Sequence, residues 1–254
     1  MPTYTAQALV LHRRSLGEHD RVLTLFTKEH GKISAIAKGS QRATSRLVGA
    51  TEPFTHLRLL LATGRNLDII TQCEIVNAFP ALRTDIERLS RAAYICDLLD
   101  VFSHDHDATS SEAVFDLTCA ALLLLTQPSE WLDSIIHAYD IRLLEVLGYA
   151  PAIEYCAHCG EPLQEPPFGF SPAAGGALCK RCHHTFLDAF PLPADALTAL
   201  QTLRTASPEA LLHYSPPKAV LPYIERALRS FIRFRAERPL RTVEFLDSLR
   251  AAVN

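Results

Sequence analysis

The sequence predicts an α+β multidomain chain: an N-terminal five-stranded OB-type β-barrel, then an α-helical domain that carries an inserted four-cysteine ribbon. Three observations predict it. Five β-rich runs punctuated by turn residues occupy residues 1–80. From Leu82 onward apolar residues recur at helical rather than strand spacing. Two Cys-x-x-Cys pairs, Cys156/Cys159 and Cys179/Cys182, then interrupt the helical part with nineteen residues between them. The domains this implies are a barrel over 1–80 and a helical domain over 81–254, with the ribbon at 152–188.

In chain order the β-rich runs are Thr5–Arg14, Arg21–Thr27, Ile33–Lys38, Pro53–Ala62 and Leu67–Val76. Leu16-Gly17-Glu18, Glu29-His30-Gly31, Gly39–Thr51 and Thr63-Gly64-Arg65-Asn66 separate them, with the glycines and polar residues that turns require. Ala8 and Val10 alternate with Leu9 and Leu11, so both faces of the first run are apolar. That is expected where a small barrel closes against another domain. Five strands in about seventy residues fit an OB-type barrel, a fold that commonly binds oligonucleotides; an SH3-like barrel gives a similar pattern.

The cations lie around the loops. Arg13, Arg14 and Arg21 flank the first, Lys28 and Lys32 the second, and Lys38, Arg42 and Arg46 lie in a third stretch that has no acid. Such loops can follow a phosphate backbone, and equally they can be solvated surface. Arg13, Arg14, Arg21, Lys32, Lys38, Arg42 and Arg46 are the candidate nucleic-acid contacts, through backbone phosphates with little sequence readout. Tyr4, Phe26 and Phe54 are the candidate stacking platforms, Phe26 and Phe54 fitting the core better.

Helical spacing follows in Ile86, Leu89, Ala93, Cys96 and Leu99. Thr109 and Glu112 have capping-box spacing for a helix that ends near Gln127, before Pro128. Ser129 is placed to cap a third helix through Leu147, with Gly148 suited to the position after it. Beyond the ribbon, Pro193–Thr205 and Pro208–His213 read as short helices opened by proline. In Lys218–Arg235, Leu221, Ile224, Leu228 and Phe231 share one face and Arg226, Arg229 and Arg233 the other. Pro222 has to lie near the start of that helix. The arginine face suits an acidic peptide or phosphates, or is solvated.

A Cys-x-x-Cys knuckle lets two sulfurs face one ion at about 2.3 Å, and two knuckles complete a tetrahedron. The spacing of Cys156, Cys159, Cys179 and Cys182 falls in the window of zinc ribbons. The segment from Phe168 to Gly176 reads as a hairpin that returns the second pair to the first. Lys180 and Arg181 lie between the second pair, where positive charge offsets the thiolates. Two disulfides are disfavoured because the chain opens without a secretory leader pattern. A redox pair calls for one Cys-x-x-Cys beside a βαβ unit. His158, His183 and His184 are alternative ligands, but four thiolates already fill the site. The expectation is one structural Zn2+ per chain, because four protein ligands leave no open position for catalysis. Cys73, Cys96 and Cys119 are most simply buried thiols.

Hydrophobic residues make up 48 % of the chain, as in a globular protein. No apolar run approaches the ~18 residues of a membrane span. The net charge of −3 is uneven: +5 over residues 1–72, −10 over 73–155 and +2 over 156–254. A polyanion would therefore meet the N-terminal segment rather than the middle, whose acidic surface is either a solvated face or a docking face for a basic partner. No phosphate-binding loop, Gly-x-Ser-x-Gly elbow or His-Glu-x-x-His helix is present, so the expectation is a binding protein and not an enzyme.

The run from Gly17-Glu18-His19-Asp20-Arg21 through Phe26-Thr27, with Glu29-His30-Gly31-Lys32, Lys38-Gly39, Ser45-Arg46 and Pro53-Phe54, resembles the opening of the bacterial RecO recombination mediators. Leu147-Gly148-Tyr149-Ala150-Pro151 before the cysteines, and Gly175-Gly176-Ala177-Leu178-Cys179 at the second knuckle, are similar to the same family at the same place. The resemblance runs almost end to end. It implies a cytoplasmic, nucleoid-associated protein of the RecF pathway, active in DNA repair and recombination after DNA damage. Such a protein binds single- and double-stranded DNA, anneals complementary strands without ATP, and with RecR loads RecA onto DNA coated by single-strand-binding protein. It meets that protein through its acidic, apolar-ended C-terminal tail, for which Arg226, Arg229 and Arg233 are the candidate contacts here. No membrane or small-molecule substrate is implied. The competing readings are a protein-binding scaffold without DNA contact and a zinc hydrolase with an unrecognised site.

Overall fold

Period-two alternation sorts the side chains of the first eighty residues into an inside and an outside, and the backbone follows. The computed structural model describes residues 2–42, 44–45, 47–246 and 248. Strands β1 (Thr3–Leu16), β2 (Asp20–Thr27), β3 (Gly31–Ala37), β4 (His56–Ala62) and β5 (Asp68–Asn77) close into a barrel in the order β1-β2-β3-β5-β4. A four-residue helix, α1 (Leu47–Ala50), lies between β3 and β4. β1 serves two neighbours: Thr3 to Leu9 pair with β4 and Ala8 to Leu16 with β2, and a register shift between Val10 and His12 bends it. The barrel closes through a short parallel contact, Ala35/Asp68 and Ile36/Ile69, between β3 and β5.

Ala6, Ala8, Val10, Leu23, Leu25, Ile33, Ala35, Leu57, Leu59 and Leu61 fill the interior. Alanines recur there because a five-stranded barrel leaves little room. The second apolar face of β1 is also accounted for. Leu9, Leu11 and Phe26 are buried outside the barrel, where helix α3 (Ile86–Phe102) lies against β1 and α4 (Ser111–Thr126) against β2. Phe54 is buried too, so Phe26 and Phe54 belong to the core and not to a stacking surface.

The expected and observed elements differ at a few ends, each for a local reason. β4 starts at His56 and not at Pro53, because Pro53 has no N–H to donate and Phe54 stands at φ 69°. The capping box at Thr109 does not form. Thr109 donates to Asp107 instead, at 2.8 Å from its N–H, and Glu112 pairs with Lys28 at 3.2 Å. Ser129 likewise sits ahead of its helix, accepting from Trp131 N–H and donating to the Leu212 carbonyl, while α5 runs Leu132–Val146. Gly148 does hold the left-handed position at φ 79°, with N–H bonds from Gly148 to Glu145 O and from Tyr149 to Leu144 O. The short helix α2 (Ala81–Thr84) precedes α3, whose first turn is capped by the Asp85 carboxylate accepting from Glu87 N–H at 2.8 Å.

The described residues up to Thr126, together with the segment from Leu240 on, form one compact unit, and Gln127–Pro239 form another. The switch from strands to helices at residue 80 falls inside the first. The return of the chain to it is marked by Asp97, buried on α3, whose Oδ2 accepts from Arg241 N–H, Thr242 N–H and the Thr242 hydroxyl at 2.7–3.0 Å. The second unit holds α5, a small sheet of β6 (Phe168–Ser171), β7 (Gly176–Leu178) and β8 (Phe190–Leu192) in the order β7-β6-β8, then α6 (Ala194–Thr205), α7 (Pro208–His213), a 3-10 turn at Lys218–Val220 and α8 (Leu221–Arg235). Pro222 falls in the first turn of α8, where its missing N–H costs nothing. Ile224, Leu228 and Phe231 are buried from that helix, and Phe170 of β6 meets Phe231 edge to face. No helix among the described residues is long and apolar enough to cross a membrane.

Candidate metal centre and basic loops

Each knuckle of the ribbon is a tight turn that its sequence prescribes. In the first, Gly160 N–H returns to Cys156 O, with Gly160 at φ 73°. In the second, Cys182 N–H and His183 N–H both donate to Cys179 O at 2.9 Å. The arm before Cys156 joins β7 through Ala152 and Ala177, and Ala157 N–H donates to Ala177 O at 2.8 Å. Gly176, at φ 150°, has the Ala152 carbonyl 2.3 Å from where a Cβ would sit, so only glycine lets these strands approach. Asp188 fixes the hairpin by accepting from the Ser171 hydroxyl and Ala173 N–H.

These turns bring the four sulfurs of Cys156, Cys159, Cys179 and Cys182 within 4.8 Å of one another, with Cys159 and Cys179 3.7 Å apart. A tetrahedron with bonds of about 2.3 Å has sulfur–sulfur edges of about 3.8 Å, so the set can hold a metal ion. The backbone favours charge on it. Burial works against the Cys156 thiolate, but N–H groups of Cys159, Cys179 and His158 aimed at its sulfur lower its pKa to about 6. Cys182 goes the other way, first through burial and then because its three sulfur neighbours share protons with it. Four thiolates this close need a cation between them, which is what a dication supplies. Arg181 lies beside Cys159 and Cys179 and 3.8 Å from Glu161, so it offsets the site's charge as its position suggests. His158 stacks edge-on with Phe186 and His183 accompanies Lys180 O, and the cluster of ligand atoms comprises the cysteines alone among the described residues.

The cationic loops separate into two groups. Gly39 N–H donates to Asp20 Oδ1 at 2.7 Å, Gln41 N–H to His19 O at 2.9 Å, and the Gln41 side-chain amide to Asp20 O at 2.6 Å. The third loop is therefore laced to the first turn, and Arg13, Arg14, Arg21, Lys38 and Arg42 gather at one end of the barrel. Arg14, Lys38 and Arg42 are exposed there. Arg13 and Arg21 both pair with Glu52, an acid no local motif connects to them, and Arg21 also donates to the Thr51 hydroxyl. Lys32 stands apart. Its side chain is 13 % exposed, and its ammonium donates to Asp100 O and Oδ1 at 3.0 and 3.2 Å and joins β3 to α3. Lys28 is taken up by Glu112 and Asp116 in the same way. Arg46 lies outside the described residues.

On α8, Arg226 and Arg233 are exposed and Arg229 is half-buried. The Arg226 guanidinium covers the Phe190 ring at 4.1 Å, and Arg229 lies 3.9 Å from Glu225. Phe234, 55 % exposed, stands beside Arg233 in the sequence.

A closed barrel with the OB strand order, followed by a helical region with a four-cysteine centre, defines a class of barrel-and-ribbon proteins. The comparisons with known proteins specify it further. Residues 1–79 match the family described as Recombination protein O N terminal, and residues 83–244 the one described as Recombination protein O C terminal. The chain belongs to the RecO family of DNA repair proteins. It is 38 % identical over 254 residues to the DNA repair protein RecO of Heliobacterium modesticaldum, covering 98 % of this chain and 91 % of that one. The DNA repair protein RecO of Symbiobacterium thermophilum is 33 % identical, with 99 % and 100 % covered, and that of Pelotomaculum thermopropionicum 36 % identical, with 97 % and 94 % covered.

Proposed function

We propose that this chain is a non-catalytic DNA repair and recombination mediator of the RecF pathway. It binds single- and double-stranded DNA through the cationic end of its barrel and anneals complementary strands without ATP. With RecR it loads RecA onto DNA coated with single-strand-binding protein, in the cytoplasm at the nucleoid. The observation that carries this reading is the gathering of Arg13, Arg14, Arg21, Lys38 and Arg42 around two laced loops at one end of an OB-type barrel, in a chain of the RecO family over nearly its whole length. Arg14, Lys38 and Arg42, with Arg46, make the phosphate contacts. Arg13 and Arg21 contribute less, because Glu52 already neutralises part of their charge, and Lys32 supports the barrel instead.

Annealing needs no active site. A cationic surface lowers the repulsion between two strands and holds both, which raises their effective concentration. One Zn2+ on Cys156, Cys159, Cys179 and Cys182 holds the ribbon together, and no substrate position remains on it. The C-terminal tail of single-strand-binding protein docks on α8, its carboxylates on Arg226, Arg229 and Arg233 and its apolar end beside Phe234.

A salt titration of binding to single-stranded DNA, with and without the tail peptide, tests the reading. Phosphate contacts require log K to fall linearly with log salt. A chain that binds the tail but retains no DNA at low salt would instead be a protein-binding scaffold.

A further inference from the structure

The basic loops follow the C-terminal end of β3. Along its N-terminal half, where β3 and β5 part after only two paired residues, a cleft of about 490 Å³ opens in the same compact unit. Tyr4 and His30 form one wall, the turn from Thr63 to Asp68 another, and Asp105 and His106 the rim.

The walls are fixed before any ligand arrives. The Tyr4 hydroxyl donates to Asp68, whose other oxygen accepts from Gly64 N–H at 3.0 Å. Gly64 has the Leu67 carbonyl 1.8 Å from where a Cβ would stand, so the turn is held by its own backbone. His106 N–H donates to Lys32 O at 2.8 Å, tying the rim to β3. The Tyr4 ring meets His30 edge to face at 4.8 Å. Burial, then Asp68, raises the Tyr4 pKa, so its phenol stays protonated and keeps this geometry.

The lining restricts the ligand. Two carboxylates, Asp68 and Asp105, outnumber the single full cation, Arg65, so a phosphate is not favoured inside. Asn66, Ser34 and Thr63 make the walls too polar for an aliphatic group. A planar, uncharged group with donors and acceptors on its edge fits, stacked beside an aromatic wall. The Asp105 side chain is 74 % exposed and its carboxylate is 3.9 Å from Lys32, which leaves it acceptor capacity toward the cleft. Carboxylates and amide oxygens accept from an exocyclic amine, and thymine has none.

We propose that this cleft takes one unstacked nucleobase of a single DNA strand, favouring bases that carry an exocyclic amine over thymine. The inference rests on the DNA-binding reading above and adds to it a contact that is neither cationic nor indifferent to sequence. The test uses the full chain and two labelled strands of equal length, oligodeoxycytidylate and oligodeoxythymidylate, at neutral pH over a range of salt. The parent should bind the cytidylate strand about tenfold more tightly, the scale of one well-made edge contact, with the same salt slope for both strands. Asp105→Ala and Asn66→Ala alter side chains at the surface and should bring the ratio toward one. Removing the Asp105 charge raises affinity for any polyanion, so the ratio is the readout. Equal affinities in the parent, or a ratio that survives both substitutions, would overturn the cleft's role while the phosphate contacts stand. A parent that binds neither strand would overturn both readings.

Discussion

Gly31 occupies φ 65° at the β2–β3 turn, with the Asp107 carbonyl oxygen 1.9 Å from the position of a Cβ. Gly31→Ala adds a left-handed alanine, about 1–2 kcal/mol, to a contact that only a backbone shift relieves. Urea unfolding should register a loss of at least about 2 kcal/mol. His56 carries a pH dependence whose sign its surroundings set. Burial, and then the Arg58 charge, lower its pKa in the folded chain. The unfolded chain therefore takes up the proton first. The stability His56 contributes is present above its unfolded value of about 6.5 and is lost as pH falls through the lower folded one. His56→Gln should flatten that part of the stability–pH curve, and an unchanged curve would assign the dependence to other groups. At the metal centre, Cys179→Ser removes one corner of the tetrahedron. Zinc content and melting temperature should fall together, and a variant that keeps both would count against the ion.

Loops and helices act as sets. The laced first and third loops predict that replacing Lys38, Arg42 and Arg46 together with alanine weakens single-strand binding with little dependence on sequence. The log–log salt slope should drop by about 0.7 for each phosphate that is no longer neutralised, up to about 2 in all. An unchanged slope would send the search to another face. For α8, exposed ion pairs contribute only about 0–1 kcal/mol each, so the joint change of Arg226, Arg229 and Arg233 to alanine is the informative one. Anisotropy with the tail peptide should show that binding disappears while zinc and fold are retained. The elements themselves were legible because their causes are local. β-rich runs bounded by turn residues mark β1 to β5, and two residues between thiols mark a knuckle. What was not legible depends on partners far along the chain. Nothing near Lys32 announces Asp100, and nothing near Arg13 announces Glu52, so both cations read as free loop charges. The Thr109 box failed for a nearer reason: Asp107, two residues back, competes for the same N–H. The cleft beside Tyr4 draws on four separated segments, and no single stretch of sequence hints at it.

On the scale of the whole molecule, the four-cysteine cluster and the proposed DNA contacts fall in different compact units, since the ribbon lies in Gln127–Pro239 and the basic loops before Thr126. Chelation should therefore melt the ribbon's unit at lower temperature and leave the salt slope of DNA binding in place. Calorimetry beside a binding titration would separate the two, and a slope that collapses on chelation would contradict this division. The clasp at Asp97 has a consequence for the order of events on the ribosome. The residues that satisfy it, Arg241 and Thr242, are synthesised 144 and 145 positions after it. Until they emerge, α3 carries a carboxylate that the finished fold buries, and a buried acceptor without donors costs about 1–3 kcal/mol. The barrel's unit therefore waits, incompletely stabilised, while the entire second unit, with its four-cysteine cluster, is translated. A nascent chain stalled after Pro239 should expose its barrel strands to protease, and one stalled well beyond Thr242 should protect them.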